Sequence, residues 1–405
     1  VNGATRHRDL HSGRSLWTEA RPLATTPLVH HVEADVVVVG AGISGACMAY
    51  ALASAGHSVI VLDRRRSAAL GSTTASTSLI ASEIDRALFD LSRRIGRSRA
   101  ERAWTRSFAA VERLRAIVRK EDIRCQWGDR SSLYVAGSAY GWRALGVEVR
   151  ARAKAGLSGE FVDQATLKAT YGIDRTGAIL SQGSAVANPV RLSAGLLRRA
   201  VRLGARVFAP VEVIEAVPGS RGLCLRTGSS FLVFAGNVVF CTGYELLRGI
   251  PAAGHAVKST WALASEPGAV YPAWLNRTVV WEASEPYAYL RTSVDGRLIA
   301  GGEDEVASSR HRDRALLGRK AGRIAATVRD LLPGASFTVA HRWGGAFGES
   351  ATGLPFIDRA PGLPGCWVVM GFGGNGITYG MIASEVIPAL LAGRRDPDAD
   401  LYRLS

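Results

Sequence analysis

Val36-Val37-Val38-Val39-Gly40-Ala41-Gly42-Ile43-Ser44-Gly45 is a run of four β-branched residues that ends in a GxGxxG turn and opens a helix of small residues. Such a stretch reads as a buried parallel strand that delivers a phosphate to a helix N-terminus. Gly40 permits the turn, Gly42 lets a phosphate approach bare backbone, and Gly45 lets the helix lie against the strand. The helix continues through Ala46 to Ala53 and stops at Ala55-Gly56-His57, after which Ser58-Val59-Ile60-Val61-Leu62 forms a second strand ending on Asp63. That acid stands 18 residues beyond Gly45, where the unit needs a carboxylate for the ribose hydroxyls of an adenosine.

A chain of 405 residues exceeds the usual single core, so two domains are expected. With 47% apolar residues, 45 glycines and 21% charged residues, the composition is that of a buried α/β enzyme. No apolar run approaches the roughly 18 residues of a membrane span. The net charge of +15 raises nucleic acid, but the arginines are scattered, with short clusters at Arg64-Arg65-Arg66, Arg93-Arg94 and Arg198-Arg199 and no interleaved aromatics. A solvated, arginine-rich surface is the reading, with no specific nucleic-acid partner. The five cysteines, Cys47, Cys125, Cys224, Cys241 and Cys366, have no CxxC spacing and predict neither a metal site nor disulfides, as in a reducing, cytoplasmic setting. The N-terminal stretch has no apolar core of a secretory signal, and the numbering begins at Val1 without Met.

Residues 1 to 32 read as a polar arm containing Pro22 and Pro27, anchored at Leu16-Trp17. Gly71-Ser72-Thr73-Thr74-Ala75-Ser76-Thr77-Ser78 is a hydroxyl-rich loop suited to a phosphate or the edge of a ring system. Apolar spacing predicts helix from about Asp85 to Lys120 and again at 143–155, 190–203 and 319–332. Short strands are expected at 132–136, 178–180, 206–208, 211–217, 222–227, 231–234 and 237–241, the last stopping on Thr242-Gly243. Lys258 to Gly302 is aromatic and strand-rich. Tyr287, Tyr289 and Arg291 alternate on one face of a strand that turns at Asp295-Gly296. Strands at 340–348 and 367–370 then lead to Gly371-Phe372-Gly373-Gly374-Asn375-Gly376-Ile377-Thr378, a glycine-packed helix N-terminus that offers free N–H groups to a ring gaining negative charge.

Taken together, the GAGISG turn with Asp63, the GSTTAS loop, the Cys241-Thr242-Gly243 strand end, Trp343-Gly344-Gly345 with Gly353-Leu354-Pro355, and Gly373 to Ile377 resemble the D-amino-acid oxidase family of FAD-dependent oxidoreductases. Glycine oxidase, sarcosine oxidase and γ-glutamylputrescine oxidase are relatives within it. The resemblance runs in order from about Ala34 to Gly393. It implies an α/β fold with a Rossmann-like FAD-binding domain of the glutathione-reductase type, assembled from 33–82, 178–260 and 340–405. An interleaved α+β substrate domain on an antiparallel sheet would take 83–177 and 261–339. It also implies FAD contacts from Gly40, Gly42, Ile43, Ser44, Gly45, Asp63, Arg64 and Arg65, from Gly71, Ser72, Thr73, Thr74, Ala75, Ser76 and Thr77, from Val211, Cys241, Thr242 and Gly243, and from Gly345, Gly373, Gly374, Asn375, Gly376, Ile377 and Thr378.

The implied chemistry is hydride transfer from a carbon bearing nitrogen to flavin N5, giving an imine, with O2 the usual acceptor. Glycine oxidase carries arginines after its Trp-x-Gly and beside its terminal Asn-Gly; here those positions hold Phe347 and Gly374, which leaves Arg291 to clamp a carboxylate or to serve the hairpin. Sarcosine oxidases attach flavin through a cysteine in the region of 348–358. This chain has none there, so noncovalent FAD follows. An amine or N-substituted amino acid is expected as substrate in a pocket walled by Tyr287, Tyr289, Phe347 and Trp343, with Glu83 either a counter-charge or a carboxylate at a helix start. Rival readings are a flavin dehydrogenase serving a quinone or protein acceptor, a nicotinamide enzyme, and a non-catalytic FAD-containing binding protein.

Overall fold

The computed structural model describes residues 5–6, 8–20, 23–219, 222–248 and 255–404. Its core is an eight-stranded sheet in which Cys366–Met370, Leu232–Gly243, Val32–Val39, Val59–Leu62 and Arg206–Phe208 run parallel in that spatial order, with Phe356–Arg359 antiparallel at one edge. The quoted valines show why the strand is central. Val36 and Val38 enter the core beneath the helices Ile43–Ser54 and Gly376–Leu391, while Val37 and Val39 enter a second core on the opposite face with Ile60, Leu62 and Phe240. A strand buried on both faces needs apolar residues at every position. The antiparallel hairpin Val213–Gly219 and Gly222–Thr227 covers that second face.

The ten-stranded sheet runs His11–Arg14, Val339–Ser350, His255–Ser265, Leu298–Glu305, Ala288–Thr292, Thr278–Ala283, Gly128–Ala136, Gly177–Val186 and Leu79–Ile80, with Glu160–Asp163 added beside Gly177–Val186. Its ladders are antiparallel except between Thr278–Ala283 and Gly128–Ala136. The helix Arg314–Leu331 buries one face, against Trp261, Leu263, Leu298 and Ala300. The strands at 79–80, 177–186, 255–265 and 339–350, expected with the nucleotide half or at its edge, hydrogen-bond into this sheet.

Several expected elements differ in extent. The helix from Asp85 to Lys120 is two helices, Leu88–Ile95 and Arg97–Lys120, broken at Gly96. The strands at 231–234 and 237–241 are one, because Leu232–Gly243 pairs antiparallel with the hairpin at its start and parallel with Val32–Val39 along its length. The arm includes the strand His11–Arg14, and Trp17 is buried at 4% exposure; Pro22 lies outside the described residues. Among the described residues no helix is long and apolar enough to cross a membrane.

One polar knot ties the helices to the ten-stranded sheet. Arg152 is fully buried, donates to Glu148 at 2.8 Å and to Ser181 at 3.0 Å, pairs with Glu83, and lies over the Trp104 ring. Glu148 in turn accepts from the Leu88 and Phe89 amides, capping a helix start. Arg152→Ala would leave two buried carboxylates without a cation. The expected loss of stability is about 3–5 kcal/mol, read as a shift of the urea unfolding midpoint.

Candidate functional site

A long trough runs between the two sheets. It starts at Val211 and Asp63, passes the glycine turn and the hydroxyl-rich loop, and ends beneath Tyr287, Tyr289, Trp281 and Phe347, beside Gly373 to Ile377.

The first end is organised by backbone contact. A Cβ on Gly45 would stand 1.8 Å from the Gly40 carbonyl oxygen, and one on Gly40 would stand 2.4 Å from that of Cys241, so strand, turn and helix meet without side chains between them. Gly42 is different: the nearest atom to its Cβ position is Thr73 Oγ1 at 3.1 Å, and the residue lines the trough. Asp63 accepts from the Ala41 amide through Oδ2 and from the Arg65 amide through Oδ1, both at 2.8 Å. Burial raises its pKa, and these two amides oppose the shift. Arg64 and Arg65 border the trough, but both guanidinium groups pair with Glu245, at 2.5 and 3.2 Å. Glu245, buried and held low chiefly by Arg64 against its own desolvation, had no signal in the sequence.

The loop is oriented by three donors from elsewhere in the chain. Trp343 Nε1 donates to the Ala75 carbonyl at 2.8 Å, Trp17 Nε1 to that of Ser76 at 2.6 Å, and Arg291 Nε to that of Thr77 at 2.7 Å. Three successive carbonyls are thereby drawn away. Ser72, Thr73, Ala75, Ser76 and Thr77 line the trough, and Ser72 Oγ is buried there without a partner. Thr73 Oγ1 accepts from the Ile43 amide at 3.0 Å.

These contacts decide between the readings left open for Arg291 and Glu83 and correct the one for Trp343. Arg291 does not line the trough. It also donates to Ala187 and Thr292 carbonyls, lies over Trp17, and is pulled down to about 9 by burial without a carboxylate partner. Its three donations to backbone leave it no place as a carboxylate clamp. Trp343 is fully buried and holds the loop instead of walling a pocket. Glu83 is spent on Arg152, Ser132 and Ser181, so it is no counter-charge. Thr74, Thr378 and Gly45 also do not line the trough: the two hydroxyls donate to the Gly71 and Ala81 carbonyls, and Gly45 acts through close packing.

At the far end the Tyr287 and Tyr289 rings stack 5.8 Å apart, and burial pushes Tyr289 up to about 12. Tyr289 lies across Gly301, its ladder partner, where a Cβ would come within 2.3 Å of the phenol oxygen. The helix start is partly engaged already: the Gly373 amide donates to the Gly348 carbonyl, while the Gly374 amide at 2.7 Å and the Asn375 side-chain amide at 3.1 Å donate to Asp85. Asp85 lines the trough, and burial in that concavity lifts its carboxyl to about 6. Sequence reasoning stopped two residues short of it, at Glu83.

A family model for FAD dependent oxidoreductases matches residues 35–390. The chain is similar to the protein named probable oxidoreductase OrdL of Haemophilus influenzae, at 22% identity over 91% of this chain and 85% of that one. It is similar to gamma-glutamylputrescine oxidoreductase of Escherichia coli, at 23% identity over 89% of this chain and 84% of that one. Its fold is like that of glycine oxidase from Geobacillus kaustophilus, with a TM-score of 0.73 and 19% identity, covering 92% of this chain and 99% of that one.

If Arg291 serves the loop, Arg291→Met removes three donors from buried carbonyls and should cost about 3 kcal/mol of stability. A raised KM with unchanged melting temperature, measured by thermal unfolding alongside steady-state kinetics, would return it to the substrate.

Proposed function

The chain belongs to the family of FAD-dependent oxidoreductases, and on that premise we propose that it holds FAD noncovalently along the trough and oxidises a small amine or N-substituted amino acid to an imine, with dioxygen as acceptor. What supports the cofactor reading is the chemistry of the lining. Gly40, Gly42, Ile43 and Ser44 would meet the pyrophosphate, whose charge suits bare amides at a helix N-terminus. Asp63 keeps lone pairs for ribose hydroxyls beyond the two amides it already accepts, and Val211 lies beside it for the adenine. Ser72 Oγ, buried and unpartnered, asks for a polar ligand group in the trough. Cys241, Thr242, Gly243, Gly345 and Gly373 to Ile377 would follow the remaining length.

The bound flavin supplies a hydride acceptor at N5. Around it the chain's own residues position the substrate and exclude water. Tyr287, Tyr289 and Phe347 form an apolar wall over the reacting carbon, and a dry wall keeps the amine as the reacting species until the imine is released to hydrolyse.

One observation carries the substrate reading. Among the described residues the cations lining the trough are Arg64 and Arg65, both paired with Glu245 at the Asp63 end. Among the described residues no guanidinium or ammonium lining the trough stands free beneath the tyrosines for a carboxylate, which favours amines over amino acids. A dehydrogenase that hands electrons to a quinone or protein is the second reading, favoured by Lys258, whose ammonium is tied to Glu349 at 2.5 Å.

Purified protein should be yellow and should lose its flavin bands when amines are added without air. Readmitting air should restore them with release of hydrogen peroxide if the acceptor is O2, whereas a dehydrogenase should stay bleached in air until a quinone is added. Asp63→Ala should retain at most about a tenth of the flavin, measured as absorbance per protein. A colourless preparation, or a flavin that no amine bleaches, would overturn the reading.

A further inference from the structure

Where the resemblance puts arginine in glycine oxidase, this chain has Gly374, and a carboxylate occupies the space. A Cβ on Gly374 would stand 3.1 Å from Asp85 Oδ1 and 3.2 Å from Oδ2. Asp85 accepts only from neutral groups, the Gly374 amide and the Asn375 side chain, and makes no ion pair among the described residues.

A second carboxylate stands behind the lining of the same end, brought there by a fault in the ladder. Ser259 pairs with Glu305 and Trp261 with Gly302, so Thr260 faces two residues, Glu303 and Asp304, and the strand bulges. Glu303 takes a left-handed φ of 60°. As a result Glu303 and Glu305 both turn to Lys320 on the helix side, at 3.0 Å each, and Asp304 between them turns toward Thr260 and Tyr287, which line the trough. Its Oδ1 is buried with no hydrogen-bond partner. Burial and the Asp85 charge raise this carboxyl to about 6, the Thr260 and Tyr287 hydroxyls drawing the other way.

Nearby cations do not cancel these acids. Lys258 is bound to Glu349, Arg86 is shared between Asp90 at 2.9 Å and Glu349 at 3.8 Å, and Arg94 also pairs with Asp90 at 3.5 Å, which leaves four carboxylates against three cations.

We propose that Asp85 holds a protonated nitrogen of the substrate, with the Asp304 charge adding to its field from behind Thr260 and Tyr287, so that the substrate is a diamine or other amine carrying a second, cationic nitrogen. This rests on the reading of the trough as a site of amine oxidation. The held nitrogen cannot be the one oxidised: loss of hydride from the adjoining carbon draws on that nitrogen's lone pair, which a proton would occupy. One nitrogen is therefore neutral near the reacting carbon, and its carbon loses a hydride to the flavin and becomes the imine carbon. The other keeps its proton against Asp85 and takes no part in the electron balance.

The test compares flavin-loaded wild type with Asp85→Asn, Asp304→Asn and the charge-keeping Asp85→Glu. The probes are α,ω-diaminoalkanes of four to six carbons, the n-alkylamines and the ω-amino acids of equal length, so that only the charge at the far end varies. Anaerobic bleaching gives the rate of flavin reduction, and steady-state turnover with O2 or an added quinone gives kcat and KM; calorimetric titration of butylguanidinium and of pentanoate gives binding without turnover. Diamines should show the lowest KM and ω-amino acids the highest. Asp85→Asn should raise the diamine KM about 10- to 100-fold and weaken butylguanidinium similarly, Asp304→Asn should do both by a smaller factor, and each should change the alkylamine KM clearly less than the diamine KM. Asp85→Glu should keep the diamine preference. If an Asn variant loses its flavin, the wild-type order of the three probe series and the Asp85→Glu titration decide. Bleaching by amines with no preference for a far-end cation, or Asn variants that change all probes alike, would overturn this proposal and leave amine oxidation standing. Failure of every amine to bleach wild type would overturn both.

Discussion

The structure depends on a contact that only hydrogen can make. The helix after the first strand passes so close to the Gly40 carbonyl that a methyl on Gly45 would overlap it at 1.8 Å, and Gly40 itself is pressed against Cys241 from the neighbouring parallel strand. Three elements therefore converge with backbone exposed, and their amide dipoles open onto one cavity. Asp63 locks the convergence by bridging amides on both sides, Ala41 from the turn and Arg65 from its own strand end. Its burial costs free energy that the two charge-assisted bonds offset. An acid read from sequence as a ligand to ribose is also a brace for the turn that would receive the phosphates.

The hydroxyl-rich loop shows why the two halves of the chain have to interleave. Each of the carbonyls of Ala75, Ser76 and Thr77 is taken by a donor from a different part of the chain: Trp343 in the strand Val339–Ser350, Trp17 in the N-terminal arm and Arg291 in the strand Ala288–Thr292. A loop with its carbonyls drawn one way presents its hydroxyls and amides the other way. The apolar packing of Trp17 and Trp343 with Ala262 and Ile299 keeps these donors in place. The ten-stranded sheet is thus the template that orients part of the opposite wall as well as a roof.

The dinucleotide half was legible in the sequence because each part of it obeys a local rule. Four β-branched residues buried on both faces, glycines at close approaches and an acid at a strand end are all visible within 28 residues, from Val36 to Asp63. The long-range pairings were less so. Nothing in Leu232–Gly243 announces that one strand serves a hairpin and a parallel sheet, since both uses ask for the same residues. Arg291 illustrates the limit at a single side chain. Its alternation with Tyr287 and Tyr289 set the correct face, but its partners, Thr77 and Ala187, lie 214 and 104 residues away, and a buried arginine held by carbonyls looks in sequence like any strand arginine. Glu245 and the Asp304 bulge likewise depend on partners outside their own stretch of chain.

Two carboxylates two residues apart show how burial divides structure from chemistry. Glu83 faces Arg152 and two serine hydroxyls, and a buried ion pair so closely matched has no capacity left for a ligand. Asp85 points into the cavity and finds only an amide N–H and a side-chain amide. Neutral donors stabilise an anion without cancelling its field, so the charge is still felt by every group around it. Tyr244, Tyr287, Tyr289, Tyr379 and Asp304 are all pushed up by Asp85 as well as by their own burial. A wall with that field repels a substrate carboxylate and lowers the free energy of a cation placed against it. With Arg291 turned to the loop and Lys258 to Glu349, the discrimination between amine and amino acid would, on the proposed reading, fall to carboxylates, the reverse of a site built around an arginine.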